Sequence, residues 1–291
     1  MTLTIGAPAK INLALHVTGQ RADGYHLLDS LVTFTDFGDE LAFETAEADG
    51  LVIDGPYAGA LAAEDPETNL VTKARGALRA HGASAGNPCP PVLIRLTKNL
   101  PIASGIGGGS SDAAAALRGL CEFWNLQIEP DALNQIGLKL GADVPMCLFG
   151  KPLFASGIGE VIIPASPFPA LHLVLVNPGV EVSTPAVFNA LLNKTNKPLS
   201  LHANLSTIHG LCQWLSAQRN DLQNPALILQ PVLRDAIYAL SENGALVSRM
   251  SGSGATCFGI FPGSQAAISA AKRIADHHPD WFLSATQSGG G

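Results

Sequence analysis

The sequence predicts an α+β protein built as two domains. Its N-terminal part is dominated by strand-like runs, strands and helices mix again after Gly150, and apolar residues are plentiful throughout. With 291 residues, 47% of them hydrophobic and only 14% charged, the length fits one large domain or two of ordinary size. The change of pattern between Gly150 and Pro167 favours two, and the division is drawn as 1–160 and 161–291.

Taken in order, Leu3–Val17 alternates in its second half and Leu31–Thr45 is rich in Thr, Val and Phe, so both read as strands. Asn69–Gly82 reads as a helix stopped by Gly82, and Pro91–Leu100 as a strand. A glycine cluster then precedes an alanine-rich helix over Ser111–Asn125, and another helix begins near Pro130 and ends at Gly141. Beyond Gly150, Pro152–Ala165 and Leu171–Gly179 are strand-like. Helices are expected over Thr184–Leu192, Asn204–Gln218 and Gln230–Gly244. Leu246–Phe261 reads as two strands across a Gly-Ser turn, Ser264–His278 as a last helix, and the terminal SGGG as a disordered tail.

A net charge of −7 argues against a nucleic-acid partner, whose footprint is a basic patch or stripe. Five dispersed cysteines without C-x-x-C spacing read as reduced thiols of a cytoplasmic protein. The opening MTLTIGAPAKIN lacks the layout of a signal peptide, and no apolar run approaches membrane-spanning length, so no membrane partner is expected. Short look-alikes fail on context. Asp36-Phe37-Gly38 has no H-R-D loop before it. The GASAG at Gly82–Gly86 follows a helix instead of joining a strand to one. Neither G-K-[ST] nor the final glycine of G-x-G-x-x-G completes the glycine cluster, and no H-E-x-x-H occurs.

That cluster, in Leu100–Leu117 (LPIASGIGGGSSDAAAAL), is the informative stretch. Glycine loses the most conformational freedom on folding, so several in a row before a helix imply close approach of the backbone to a ligand. Between a strand and a helix start, converging N–H groups and the helix dipole favour an anion. Ser110 and Ser111 add hydroxyls, and Lys98 adds a full charge a few residues upstream. A tight turn with close helix packing would explain one glycine but not this set.

PIASGIGGGSSDAAA resembles the phosphate loop of the GHMP kinase superfamily; Ala7–Leu31 resembles its first motif and Met250–Phe261 its third. Within the superfamily, A-K-I-N-L-x-L-x-V followed by R-x-D-G-Y-H, with LGADVPMCLFG and ASGIGE, is similar to members whose acceptor is a cytidine diphosphate-linked methylerythritol. The resemblance spans nearly the whole chain. It implies a two-domain GHMP kinase fold with the active site in the interdomain cleft, ATP and Mg2+ as cofactors, and a monomer or homodimer. Two alternatives stay open: a mevalonate- or homoserine-type acceptor, and a non-catalytic ligand-binding sensor.

On that resemblance Asp143 is the base that takes the hydroxyl proton, placed at a helix-to-loop junction where Pro145 biases Val144 toward an extended conformation. Lys10, inside an otherwise apolar strand, must be partnered or functional, and the resemblance pairs it with Asp143. The ATP loop comprises Pro101, Ile102, Ala103, Ser104, Gly105, Ile106, Gly107, Gly108, Gly109, Ser110 and Ser111, with Lys98 beside it. Asn69 is expected near the adenine or ribose, or as a helix cap. Asn12, on the same strand face as Lys10, is expected to bind substrate or orient the lysine. Tyr25 would stack on the cytosine and His26 bond its edge, with Thr184 and Phe188 closing the other side; plain hairpin packing is the competing reading for the first two. Met250–Phe258 is expected to support the phosphate loop from below. Ser110 or Ser111, completed by water, is the candidate set for magnesium.

Overall fold

The computed structural model describes residues 2–63, 65–200 and 205–289. Two compact units emerge, and they are interlaced along the chain instead of meeting at one cut. The first comprises 1–9, 38–102 and 107–150; the second comprises 10–37, 103–106 and 151–291. Two long strands, β1 (Leu3–Gln20) and β2 (His26–Thr45), each contribute to both. The division at 160/161 therefore follows chain order, while the packing follows these two strands.

In the first unit, the later part of β2 pairs antiparallel with β4 (Val92–Thr97), from Glu40 opposite Thr97 to Thr45 opposite Val92. β3 (Gly50–Asp54), not anticipated from the sequence, adds in parallel to the other edge of β4. In β4 the alternating Val92, Ile94 and Leu96 are buried while Arg95 is exposed. The helices are α1 (Leu70–Ser84), α2 (Gly108–Phe123), α3 (Pro130–Leu140) and α4 (Val144–Phe149). The alanines at 113–116 of α2 are fully buried, their small side chains allowing neighbours to pack close on every side.

In the second unit, the earlier part of β2 pairs with β5 (Leu153–Gly157), which pairs in turn with β6 (Val161–Pro164). β7 (Leu171–Asn177) is followed by α5 (Thr184–Asn189), α6 (Ile208–Ser216), α7 (Gln223–Leu229) and α8 (Val232–Glu242). Then come β8 (Val247–Met250), β9 (Cys257–Phe261), α9 (Ser264–His277) and β10 (Phe282–Ser288). The sheet order β10-β7-β9-β8 is antiparallel throughout, and Ser288 of β10 also pairs with Thr35 of β2. Leu15, Val17, Val174, Val176, Leu233, Leu240 and Phe261 share the core of this unit.

Several expectations are corrected. The helix from Thr184 ends at Asn189, and α6 starts at Ile208; the expected start at Asn204 lies outside the described residues. Ser288 of the expected tail is a strand residue bonded on two sides, while Gly290 and Gly291 also lie outside the described residues. Val144 is the first residue of α4 instead of extended chain. Pro145 sits in that first turn, where its missing N–H has no helical acceptor to lose.

Candidate active site

The chain between β4 and α2 takes left-handed backbone conformations at every second residue: φ is 50° at Ala103, 74° at Gly105 and 66° at Gly107. Such a path belongs to neither strand nor helix and forms the concave turns that gather N–H groups around anions. Gly107 is the N-cap of α2 and offers no side chain to cap it, so the first-turn N–H groups keep their donor capacity.

The loop is pinned from its other side by the β8–β9 turn, as the sequence led us to expect. Ser251 Oγ donates to Gly105 O at 3.0 Å, and Thr256 N donates to Ser104 O at 2.9 Å. At Gly105 a Cβ would lie 2.6 Å from Ser251 O and 2.7 Å from Gly254 O, so the approach admits no side chain. Lys10 N donates to Ile106 O at 2.9 Å, fixing the loop to β1.

The two serines separate. Ser111 Oγ is buried and donates to Pro8 O at 2.7 Å, whereas Ser110 Oγ has no hydrogen-bond partner among the described residues. Lys98 requires correction: its charge does not stand open beside the loop. It is buried, and Nζ makes ion pairs with Asp39 and, at 2.7 Å, with Asp112. Burial works to lower the Lys98 pKa, but Asp112 and Asp39 outweigh it and the net shift is upward. Burial pushes the Asp112 carboxyl up to about 7, with Lys98 opposing and Asp39 reinforcing. Asn69 caps α1, accepting from Val71 N at 2.9 Å, which leaves its amide N–H groups for other use.

Lys10, in β1, is 5% exposed. Two residues on, Asn12 is held twice: its backbone N donates to Ser251 Oγ at 3.0 Å, and Nδ2 donates to Ser30 Oγ at 2.8 Å. Ser30 Oγ in turn donates to Ala14 O at 2.7 Å. Asp143 is the N-cap of α4 and makes no capping bond to that helix. α4 is fastened by Arg118, which donates to Cys147 O at 2.9 Å and to Gly6 O at 3.2 Å. Lys10 belongs to the second unit and Asp143 to the first.

At the β1–β2 hairpin, Arg21 N donates to Tyr25 O at 2.7 Å and the Tyr25 side chain is open to solvent. His26 and Phe188 are brought together as a ring stack, centroids 4.5 Å apart and planes 22° from parallel. His26 Nε2 is buried without a partner, and burial, aided by Lys194, lowers the ring's pKa. Thr184 opens α5, its hydroxyl 2.7 Å from Ser253 Oγ. Asp39, Ser30, Ser251, Ser253 and Arg118 were not singled out from the sequence. A hydroxyl or a lone Asp carries no signal there, and their partners lie up to 239 residues away.

The first unit thus offers the uncapped N–H groups of α2 and the Ser110 hydroxyl, and the second unit an aromatic stack with an unsatisfied ring nitrogen and a buried lysine. Residues 69–151 match the model of the GHMP kinases N terminal domain and residues 200–280 that of the GHMP kinases C terminal domain. The chain is 52% identical over 290 residues to the 4-diphosphocytidyl-2-C-methyl-D-erythritol kinase of Sinorhizobium medicae, covering 99% of this chain and 96% of that protein. It is 54% identical over 282 residues to the protein of that name from Mesorhizobium japonicum, covering 97% and 94%. Among solved structures, a 4-(cytidine 5'-diphospho)-2C-methyl-D-erythritol kinase superposes with a TM-score of 0.79 at 32% identity, both chains covered in full. A homoserine kinase from Cytophaga hutchinsonii, at TM-score 0.70 and 21% identity over 99% and 95% of the two chains, shares the fold alone. The chain therefore belongs to the 4-diphosphocytidyl-2-C-methyl-D-erythritol kinase family, within the GHMP kinases.

Proposed function

We propose that the protein transfers the γ-phosphoryl group of ATP to the 2-hydroxyl of 4-diphosphocytidyl-2-C-methyl-D-erythritol, giving the 2-phosphate and ADP, a step of non-mevalonate isoprenoid precursor synthesis. The observation that carries this reading is the pinned glycine loop opening onto the uncapped start of α2, read together with family membership. Phosphoryl transfer passes through a loose transition state, so the protein's work is positioning and charge stabilisation. The loop N–H groups and the Ser110 hydroxyl receive the phosphates. Asp143, its carboxylate not spent on capping α4, takes the acceptor's proton. Lys10 offsets charge on the group in flight. Asn12, fixed by Ser30 and Ser251, orients Lys10 and the acceptor. The nucleobase lies against Tyr25, His26 and Phe188, and the unpartnered His26 Nε2 supplies a polar edge. Thr184 lines the same place through its link to Ser253. Asn69 keeps amide donors for the adenosine end.

Among the described residues no three His, Cys, Asp or Glu side chains converge on a cation site, and the Asp39 and Asp112 carboxylates hold Lys98. That donor set fits a magnesium ion held chiefly by phosphates and water, with Ser110 as the protein's contribution. Held there by the Ser110 hydroxyl, such an ion would neutralise charge on the phosphates. No helix among the described residues is long and apolar enough to cross a membrane, and none of the five cysteines is in a disulfide. The thiols support a cytoplasmic setting.

The test is ADP release from MgATP by the purified chain, offered 4-diphosphocytidyl-2-C-methyl-D-erythritol, mevalonate or homoserine. Turnover is expected with the first alone, and Asp143→Asn should lower kcat by about 10²–10⁴. Turnover with mevalonate or homoserine instead would remove the nucleobase from the reading.

A further inference from the structure

We propose that Lys98 is a positioning residue for nucleotide binding: with Asp39 and Asp112 it clamps the two ends of the phosphate loop together. The proposal rests on the kinase reading above. At the loop's entry, Asp39 Oδ1 accepts from Asn99 N at 2.6 Å and from Leu100 N at 2.8 Å, while Asn99 Nδ2 donates to Gly38 O at 3.0 Å. At its exit, Asp112 stands in the first turns of α2 and binds the same lysine. One ammonium thus joins the residues before the loop to the helix after it, and all three side chains belong to the first unit. The cluster lies directly against the helix start: a Cβ built on Gly108 would be 3.6 Å from both Asp39 Oδ2 and Lys98 Nζ.

The cluster does not act on phosphate through its charge. Two carboxylates face one lysine, and Asp112 Oδ1 is buried without a partner. Buried ion clusters add little net stability over apolar packing and are best attested as devices that fix register. Here the register is the spacing between the chain entering the loop and the helix α2 that follows it. N–H groups aimed at a triphosphate depend on that spacing, because misplacement by about 1 Å costs heavily in affinity and rate.

Lys98→Met in the full chain tests this by steady-state kinetics, with ATP and acceptor varied separately. The KM for ATP should rise about tenfold, with kcat within about threefold and the acceptor KM unchanged. Asp112→Asn, which keeps an oxygen acceptor for Lys98, should hold the ATP KM within about twofold, whereas Asp112→Ala should raise it. A Lys98→Met protein that melts earlier yet keeps the wild-type ATP KM would overturn the clamp. So would equal ATP KM values in the two Asp112 variants, a comparison that stands even if Lys98→Met does not fold. ATP affinity by calorimetry needs no acceptor, so it separates failure of the clamp from failure of the acceptor assignment.

Discussion

His16 occupies the interior of the second unit with both ring nitrogens engaged: Nδ1 lies 2.9 Å from Lys197 O, and Nε2 accepts from Arg219 N at 3.3 Å. Those partners require the neutral ring with its proton on Nδ1. Burial is the main force lowering its pKa; the Lys197 carbonyl, Asp221 and Asp29 act against it, and Arg219 acts with it. With a folded pKa below the unfolded value of 6.5, the unfolded chain takes up the proton first. Stability is then complete above about pH 6.5 and is lost as pH falls toward the folded pKa. Denaturation free energies should decline between pH 7.5 and 5.5. His16→Gln should be less stable at pH 7.5 but show a shallower decline, with His26 supplying part of what remains. An unchanged slope in the variant would exclude His16 as a source. Single residues were unevenly legible. Lys10 stands out because its strand is apolar on both sides, and a buried ammonium needs partners. The same rule holds for Lys98, yet it lies just past the end of β4 beside Asn99, and one of its carboxylates lies 59 residues upstream. No spacing in the sequence announces that pair.

Among the elements, those with full periodicity were readable: α1 with its Asn69 cap, α2 with its alanines, and β4 with its strict alternation. The short helices α4 and α7 were not. Pro145 and Pro225 look like breaks but occupy the first turns of α4 and α7, where proline fits. β10 has the burial of a half-exposed strand and few β-branched residues, and only its two pairing partners define it. Arg249 of β8 shows how elements are joined by contacts that no local pattern reveals. Its guanidinium donates to Leu13 O of β1 at 2.8 Å, and to Leu215 O and Gln218 O at the end of α6 at 2.9 and 3.0 Å. The cation meets the negative end of the α6 dipole and satisfies three carbonyls. Burial lowers its pKa to about 10, which leaves it charged at neutral pH. Arg249→Met strips all three carbonyls of their donor and should cost about 3–5 kcal/mol. Urea denaturation reads that loss; a midpoint within error of wild type would show that water replaces the guanidinium.

For the whole molecule, the three motif segments revealed the family, while the interlacing of the two units could not be read from them. Hydrophobic patterning marks where strands lie but not which distant strand each one joins. The interlacing has a direct consequence for dissection. Residues 161–291 lack Leu15 and Val17 from their core, the β5 partner of β6, and the Thr35 partner of Ser288. This fragment, made alone, should show no cooperative melt by circular dichroism. A sharp transition would mean that the segment 10–37 is dispensable to the unit. The pairing of β10 with β2 also sets a timetable for the newly made chain. Thr35 leaves the ribosome about 250 residues before Ser288, which at ~5–20 residues per second is a wait of roughly 13–50 s. For much of that interval Leu15 and Val17, buried in the finished protein, wait for core partners such as Leu233, Leu240 and Phe261, and the stretch around them is a natural station for a chaperone.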